Sequence, residues 1–264
     1  MTTSRTARAG ADDVVLVEER DGVLVITLNR PQVRNAVNRA VSDAAAAAID
    51  ELESRADLHV GIVTGAGGYF SAGMDLKAFV QGETPSIPGR GMLGFTQRMP
   101  TKPLIAAVEG PALAGGCEIA LACDLIVAGE DATFGIPEVK RGLVAAGGGL
   151  LRLPRRLPPA VALELALTGD PLSAADARSF GLINAVAPRG QALRAALELA
   201  SRIASNAPLA VAASRRVVSE STEWTMAEAW ERQQTVCGPV LISDDAREGA
   251  RAFAEKRSPR WSGR

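Results

Sequence analysis

The chain has 264 residues, of which 47% are hydrophobic, and a formal net charge of −1. Its length and composition predict one large core, and 29 basic against 30 acidic residues leave no positive excess to bind nucleic acid. Three cysteines without a CxxC pair exclude a disulfide framework and a zinc ribbon. Because His59 is the only histidine, Ser-His-Asp hydrolysis and multi-histidine metal sites are also excluded. Proton transfer must therefore depend mainly on carboxylates.

Residues 1–12 predict a flexible N-terminal tail, since they are mostly small or polar and include arginine. They lack the apolar run of a secretory signal, and no later stretch is apolar for long enough to span a membrane. We expect a cytoplasmic protein without a membrane partner.

The first part of the chain predicts strands and a helix in succession. β-Rich runs at 14–17 and 23–28 are joined by Asp21-Gly22, a dipeptide typical of hairpin turns. The alanine-rich segment 38–54 begins with an asparagine and predicts a capped helix. Residues 61–64 then predict a short buried strand that ends in a glycine loop. Together these elements form a ββα unit.

The same alternation continues until about residue 186 and then gives way to helices. Further strands are predicted at 104–108, 124–128 and 132–134, with an apolar helix at 113–122, and the last helix is predicted at 244–256. We therefore expect an α/β core over 13–190 and a helical region over 191–264. The apolar faces of that region can be covered by the core or by a neighbouring subunit, so we expect an oligomer.

Glu118 is the most unusual acid in the sequence, because nearly every neighbour in 113–122 is small or apolar. Burial of a carboxyl group is costly and raises its pKa toward the range of a general acid or base. A structural glutamate paired with a distant arginine is the alternative. The two glycines before it leave backbone N–H groups open to a substrate oxygen, and a similar loop occurs at 70–77.

Other motifs are weaker when each is considered alone. Glu138 lies in an ordinary-looking turn, and the glycine loop at 65–68 matches neither a Walker motif nor a dinucleotide-binding fingerprint. The cations near Phe253 are typical of a solvated helix end, although lysine and arginine there would also suit the phosphates of a CoA-like ligand.

Taken in order, several motifs resemble those of the crotonase (enoyl-CoA hydratase/isomerase) superfamily over nearly the whole chain. They are IVTG at 62–65, FSAGMDLK at 70–77, KPLIAAVEG at 102–110, AGGCE at 114–118, FGIPE at 134–138, LTG at 167–169 and AFAEKR at 252–257. The resemblance implies an α/β fold, a crotonase-like spiral of ββα units with a C-terminal helical trimerisation region. It also implies a homotrimer or homohexamer that binds an acyl-CoA thioester.

The resemblance further implies roles for individual residues. The backbone amides of Met74 and Gly115 correspond to the pair that holds the thioester oxygen, and Glu118 and Glu138 correspond to the two glutamates of hydratases. The substrate or its CoA part is expected to contact six further residues, namely Ala72, Asp75, Lys77, Ala146, Phe253 and Lys256, the last two possibly from a neighbouring subunit. No metal and no cofactor are expected, since coenzyme A is part of the substrate.

The presence of both glutamates favours a hydratase that adds water to a 2-trans-enoyl-CoA and gives a 3-hydroxyacyl-CoA. Two alternatives remain open: a Δ3,Δ2-enoyl-CoA isomerase and a non-catalytic acyl-CoA-binding scaffold. One departure from the family pattern lies near the expected water site. Where many hydratases have Pro-Gly-x-Gly-Gly, this chain has Ala145-Ala146-Gly147-Gly148-Gly149.

Overall fold

A computed structural model describes residues 13–264 and, for residues 5–8, the backbone. The strands in this part of the chain are β1 (Arg5–Arg8), β2 (Val15–Arg20), β3 (Val23–Leu28), β4 (Val60–Gly65), β5 (Leu104–Val108), β6 (Pro111–Leu113), β7 (Leu125–Gly129), β8 (Thr133–Gly135), β9 (Leu172–Ser173) and β10 (Ala185–Ala187). The α-helices there are α1 (Arg39–Ser54), α2 (Leu76–Val80), α3 (Gly115–Ala122), α4 (Gly149–Arg156), α5 (Pro159–Thr168), α6 (Ala174–Ser179), α7 (Ala192–Ala204), α8 (Pro208–Glu220), α9 (Met226–Leu241) and α10 (Asp244–Ala254).

The strands form a large sheet of order β1-β2-β3-β4-β5-β7-β10 and a small sheet of order β6-β8-β9. The first three strands of the large sheet are antiparallel, and every pair from β3 to β10 is parallel. Because the carboxyl ends of parallel strands meet at one edge, the loops that follow β4 and β5 lie side by side. This edge holds the candidate site described below.

The predicted hairpin and the predicted first helix are both confirmed. Asp21 and Gly22 have φ values of 48° and 79°, which suit the tight turn between β2 and β3. The Asn38 side chain accepts a hydrogen bond from the Val41 amide at 3.1 Å and so caps α1.

The core lies on both faces of the large sheet. Helix α1 packs its buried face against one side, where Ala45, Ile49 and Leu52 are at most 3% exposed. Helix α7 packs against the opposite side through Ala196 and Ala200, which are fully buried. Alanine at helical spacing lets the helix axis approach the sheet closely, so the apolar strands are covered on both faces. None of the helices in the described chain has the length and apolar character of a membrane span.

The structure differs from the sequence predictions at three element boundaries. Strand β1 pairs with β2 inside the segment predicted as a tail, and the rest of the tail prediction lies outside the described residues. The helix predicted at 113–122 begins at Gly115, because residues 111–113 pair with β8. The last helix ends at Ala254, and Lys256 has a φ of 53° that continues no helix.

Asn35 ties together the loops that lead to the site edge. Its side chain is buried; the Nδ2 group donates to the carbonyls of Ala66 at 2.9 Å and Tyr69 at 2.6 Å, and Oδ1 accepts from the Arg30 amide at 2.9 Å. All three partners are backbone groups of irregular segments, which have no ladder hydrogen bonds to replace this contact.

We expect Asn35→Ala to lower the free energy of unfolding by about 2–4 kcal/mol, since three buried backbone groups lose their partner. Urea denaturation of the two proteins measures the change. Asn206→Ala is the matched control, because the exposed Asn206 amide donates only to the Arg202 carbonyl at a helix end. Equal midpoints for Asn35→Ala and the control would show that the loops do not depend on this contact.

Candidate active site

Glu118 lies in the first turn of α3 and is only 3% exposed. All eight residues of this helix are buried, so its carboxyl group is surrounded by apolar side chains and backbone. Oε1 accepts a hydrogen bond from the Gly149 amide at 2.9 Å. Burial raises the pKa of this carboxyl above 4.5, while hydrogen bonds from the glycine loop and the charge of Arg152 oppose the rise. The group is therefore suited to accept a proton.

The loop Gly147-Gly148-Gly149 fits around the Glu118 carboxyl because it has no side chains. A Cβ atom on Gly147 would lie 2.5 Å from Oε2, and one on Gly149 would lie 3.2 Å from Oε1. Gly148 has a φ of 110°, a conformation that L side chains rarely adopt. A side chain at Gly147 would therefore displace the carboxyl, one at Gly149 would crowd it, and one at Gly148 would meet the Arg152 guanidinium.

Glu138 is half-buried in the 3-10 turn Pro137–Arg141 that follows β8. Its Oε2 atom is buried and has no hydrogen-bond partner within the described chain. Burial, together with the nearby Glu118 charge, raises the pKa of Glu138 to about 7, although its own backbone amide and Arg141 act in the opposite direction. A carboxyl of this kind can hold or release a proton near neutral pH.

The backbone amides of Met74 and Gly115 lie on two loops in close contact. A Cβ atom on Gly73, which has a φ of 83°, would lie 2.5 Å from the Gly115 nitrogen. The Val37 amide donates a hydrogen bond to the Gly73 carbonyl, and the Val37 carbonyl accepts one from the Asp75 amide. The amide of the intervening Met74 therefore faces away from Val37. Gly115 is the first residue of α3, and its amide has no intrahelical acceptor.

Ala114 sets the direction in which α3 leaves the small sheet. It has φ 52° and ψ −129°, which is unusual for a residue with a side chain, and its amide donates to the Gly135 carbonyl at 2.9 Å. Strained backbone of this kind clusters at functional sites, where the surrounding structure holds the chain in an unfavourable conformation. Here it places the Gly115 amide and the Glu118 side chain on one helix end.

These groups share one cavity of about 600 Å³. Glu118, Glu138, Met74, Gly115, Ala72 and Ala146 all line it, and the other lining residues are Arg34, Tyr69, Leu76, Phe79, Thr84, Pro85, Ser86, Gly91, Met92, Thr96, Gln97, Leu113, Ala114, Pro137, Arg141, Leu143, Val144 and Gly147. The structure thus brings both carboxyl groups and both amide-bearing residues to one space. Such an arrangement can polarise a carbonyl and move protons beside it.

Residues 18–264 match the family model described as enoyl-CoA hydratase/isomerase. The chain belongs to this family. It is 46% identical to enoyl-CoA hydratase EchA19 of Mycobacterium tuberculosis over 266 residues, which cover 98% of this chain and 99% of that protein. It is 42% identical to a carnitinyl-CoA dehydratase of Salmonella typhi, with 92% of this chain and 95% of that protein covered.

Solved structures of similar proteins share the fold. Enoyl-CoA hydratase EchA1 from Mycobacterium marinum superposes with a TM-score of 0.94 at 60% identity, covering 96% of this chain and 100% of that chain. A carnitinyl-CoA hydratase from Mycobacterium avium gives a TM-score of 0.77 at 47% identity with 96% and 100% covered. The family resemblance and the α/β crotonase-like fold are therefore confirmed, and the trimerisation role of the helical region stays a prediction.

Four of the residues expected from the family resemblance do not line the cavity of this chain. Asp75 caps α2 through the amides of Lys77 and Ala78 and pairs with Arg30 at 3.0 Å. Lys77 is exposed in the same helix. Phe253 and Lys256 lie at the end of α10, where the Phe253 side chain is 89% exposed.

Arg152 is a positioning residue that the sequence analysis missed. It lies in α4, and its guanidinium donates to the Gly147 carbonyl at 3.3 Å and to the Thr96 carbonyl. It therefore links the glycine loop around the Glu118 carboxyl to Thr96, which also lines the cavity. The sequence signal was only an arginine three residues beyond the glycine run, in a helix that contains two further arginines.

The raised pKa of Glu138 also predicts how stability depends on pH. Between about 4.5 and about 7 the folded protein keeps a proton on Glu138 that the unfolded chain has released. The contribution of Glu138 to the free energy of unfolding is therefore fully present below pH 4.5 and is lost as the pH rises through 7. Glu138→Gln removes the loss, so the variant should be more stable than the parent at pH 8 by about 1–2 kcal/mol, a value discounted for partial exposure.

Urea denaturation at pH 4.5 and pH 8 measures this difference, which should be small at the lower pH. Glu164→Gln is the control, because Glu164 is exposed on α5 away from the cavity. If Glu138→Gln had the same effect at both pH values, the carboxyl would not be protonated in the folded protein at neutral pH.

Proposed function

We propose that the chain is an enoyl-CoA hydratase, which adds water to a 2-trans-enoyl-CoA and gives a 3-hydroxyacyl-CoA. The observation that carries this proposal is the pair of carboxyl groups, Glu118 and Glu138, with raised pKa values in one cavity. The names of the similar proteins support it, since hydratases and a dehydratase catalyse the two directions of such a reaction.

The first role belongs to the amides of Met74 and Gly115. When bound in the cavity, the thioester oxygen accepts hydrogen bonds from both N–H groups, which draws electron density from the conjugated double bond. The negative charge that develops on this oxygen during attack is stabilised by donors that are already in place. Contact between their two loops keeps the donors together.

The second role belongs to the carboxyl pair. Oε1 of Glu118 is held by the Gly149 amide, so Oε2 remains available to orient a water molecule and take its proton. The water oxygen bonds to the β-carbon, and the enolate then takes a proton at the α-carbon from Glu138. Because their charges interact, the two carboxyl groups share one mobile proton. After turnover, the proton that Glu118 took from water can pass to Glu138, which restores the starting state.

The CoA part of the substrate is proposed to pass Ala72 and the first oxyanion loop, with Asp75 and Lys77 on its path. The adenine end is proposed to contact Phe253 and Lys256 of a neighbouring subunit. The 89% exposure of Phe253 and the 71% exposure of Trp230 support an assembly that covers them. We propose a homotrimer or homohexamer, and the enzyme needs no cofactor beyond the CoA of its substrate.

Sedimentation equilibrium tests the assembly, and three or six chain masses are expected. Phe253→Ala should raise the KM for the acyl-CoA several-fold while the carboxyl pair keeps its chemistry, because one stacking contact at the CoA end is lost. Phe180→Ala, which removes another partly exposed phenylalanine outside the cavity, is the control. A monomer with full activity would contradict the shared site.

The reaction itself is tested with a 2-trans-enoyl-CoA by loss of enoyl-thioester absorbance and by a mass gain of one water. Glu118→Gln and Glu138→Gln should each lower kcat by roughly 10²–10⁴-fold with little change in KM, because each removes one proton-transfer group. Glu164→Gln should retain the parent rate.

Other outcomes identify the competing functions. Full hydration activity in Glu118→Gln would contradict the proposed mechanism. Conversion of a 3-enoyl-CoA into its 2-enoyl isomer, without hydration, would identify an isomerase. Calorimetric binding of acyl-CoA without turnover of short, branched and bulky enoyl esters would identify a scaffold.

A further inference from the structure

The charges around the cavity are unevenly distributed. Among the residues that the structure describes, the acids that line it are Glu118 and Glu138, and the bases are Arg34 and Arg141. In the proposed mechanism the two carboxyl groups share one mobile proton, so together they carry about one negative charge against the two arginines. The arginines stay charged. The cavity wall therefore carries a net positive charge.

Arg141 is the cavity-lining arginine that shares a turn with Glu138. It lies three residues after Glu138 in the same 3-10 turn and is exposed, and no residue of 13–264 forms an ion pair with it. Its charge reaches Glu138, since it lowers the pKa of that carboxyl. A bound acyl chain that passes Glu138 therefore meets the same field.

The other residues that line the cavity offer little to a cation. Leu143, Val144, Met92 and Phe79 are apolar, and apart from the two glutamates and the two arginines the polar lining residues are uncharged. The ring of Tyr69 already has Arg34 over it, at 5.9 Å from the ring centroid. A quaternary ammonium group needs a charged carboxylate without a competing cation or a cage of free aromatic rings. Within the described chain, the carboxyl groups that line the cavity are those of Glu118 and Glu138, which share it with two arginines, and one ring there is free.

We propose that Arg141 is a specificity-determining residue that excludes cationic acyl chains, so that the acyl chain of the substrate is uncharged. The inference rests on the proposed hydratase function and names the class of its substrate. The substrate of this chain would then differ from that of the relatives named carnitinyl-CoA dehydratase and carnitinyl-CoA hydratase, because a carnitinyl group carries a trimethylammonium cation. Arg141 is exposed and solvated, so it repels a cation without providing the buried counterion that an anionic chain would need.

A set of isosteric substrates tests the proposal. The cationic ester is 4-trimethylammoniocrotonyl-CoA, and the neutral ester is 5,5-dimethylhex-2-enoyl-CoA, in which carbon replaces the charged nitrogen. A third ester has one terminal methyl group of the neutral compound replaced by a carboxylate. We expect kcat/KM for the neutral ester to exceed that for the cationic one by roughly 30-fold or more, and to exceed that for the anionic one.

Variants assign the preference to Arg141. Arg141→Gln should lower the ratio of kcat/KM for the neutral ester to kcat/KM for the cationic ester several-fold, and Arg141→Glu should lower it further. An effect of either substitution on Glu138 changes both values alike and cancels in this ratio. Arg178→Gln makes the same charge change at an exposed position outside the cavity and should leave the ratio unchanged. The parent ratio should fall with added salt, because an exposed charge is screened.

The outcomes are distinct. A parent ratio near one, a preference for the cationic or the anionic ester, or a ratio that does not respond to the Arg141 substitutions overturns the specificity assignment and leaves the hydratase proposal standing. Failure to hydrate any of the three esters and also a simple straight-chain enoyl-CoA overturns the hydratase proposal, and this inference with it.

Discussion

Burial of the Glu118 carboxyl behind a run of glycines is the constraint on which the rest of the site depends. A carboxyl on an apolar helix loses its hydration, and the Gly149 amide returns one hydrogen bond to Oε1. This contact fixes the orientation of the group, and burial keeps its pKa raised although the glycine loop acts in the opposite direction. Burial raises the pKa of Glu138 as well, and the charge of Glu118 adds to the rise. Both carboxyl groups have raised pKa values because they lie in one poorly solvated cavity.

The backbone around this carboxyl is built for close approach. A Cβ atom on Gly116 would lie 2.2 Å from the Ser71 carbonyl, and one on Gly73 would lie 2.5 Å from the Gly115 nitrogen. The two loops that carry the Met74 and Gly115 amides therefore cross at positions where no side chain fits. The parallel strands β4 and β5 bring the loops to one sheet edge, and the strained Ala114 turns the chain into α3. The fold thus supplies the amides by topology, and the small residues supply the final contact.

Much of this arrangement could be predicted from the sequence, and the reasons differ between residues. The alanine-rich segment after Asn38 predicted α1, and the β-rich runs joined by Asp21-Gly22 predicted the β2–β3 hairpin, because local patterns determine such elements. Glu118 was recognisable because an acid among apolar neighbours is costly. Glu138 was not, since a turn tolerates any polar residue, and only the family resemblance singled it out. The expected alternative, a glutamate paired with a distant arginine, does not describe the contact: Arg152 donates to carbonyls, and its effect on Glu118 is electrostatic.

Arg152 could not be predicted because its partners are backbone carbonyls, one of them 56 positions away, which leave no signature in residue type. The Ala145-Ala146 departure has a related explanation in the geometry. A Cβ would strike Glu118 at position 147 and crowd it at position 149, and the φ of 110° at 148 disfavours a residue with a side chain. Ala145 is buried in the core and Ala146 lines the cavity, so neither occupies the carboxyl cradle. The loop can therefore vary at 145–146, where Ala146 contributes to the cavity wall, while the three glycines surround the acid.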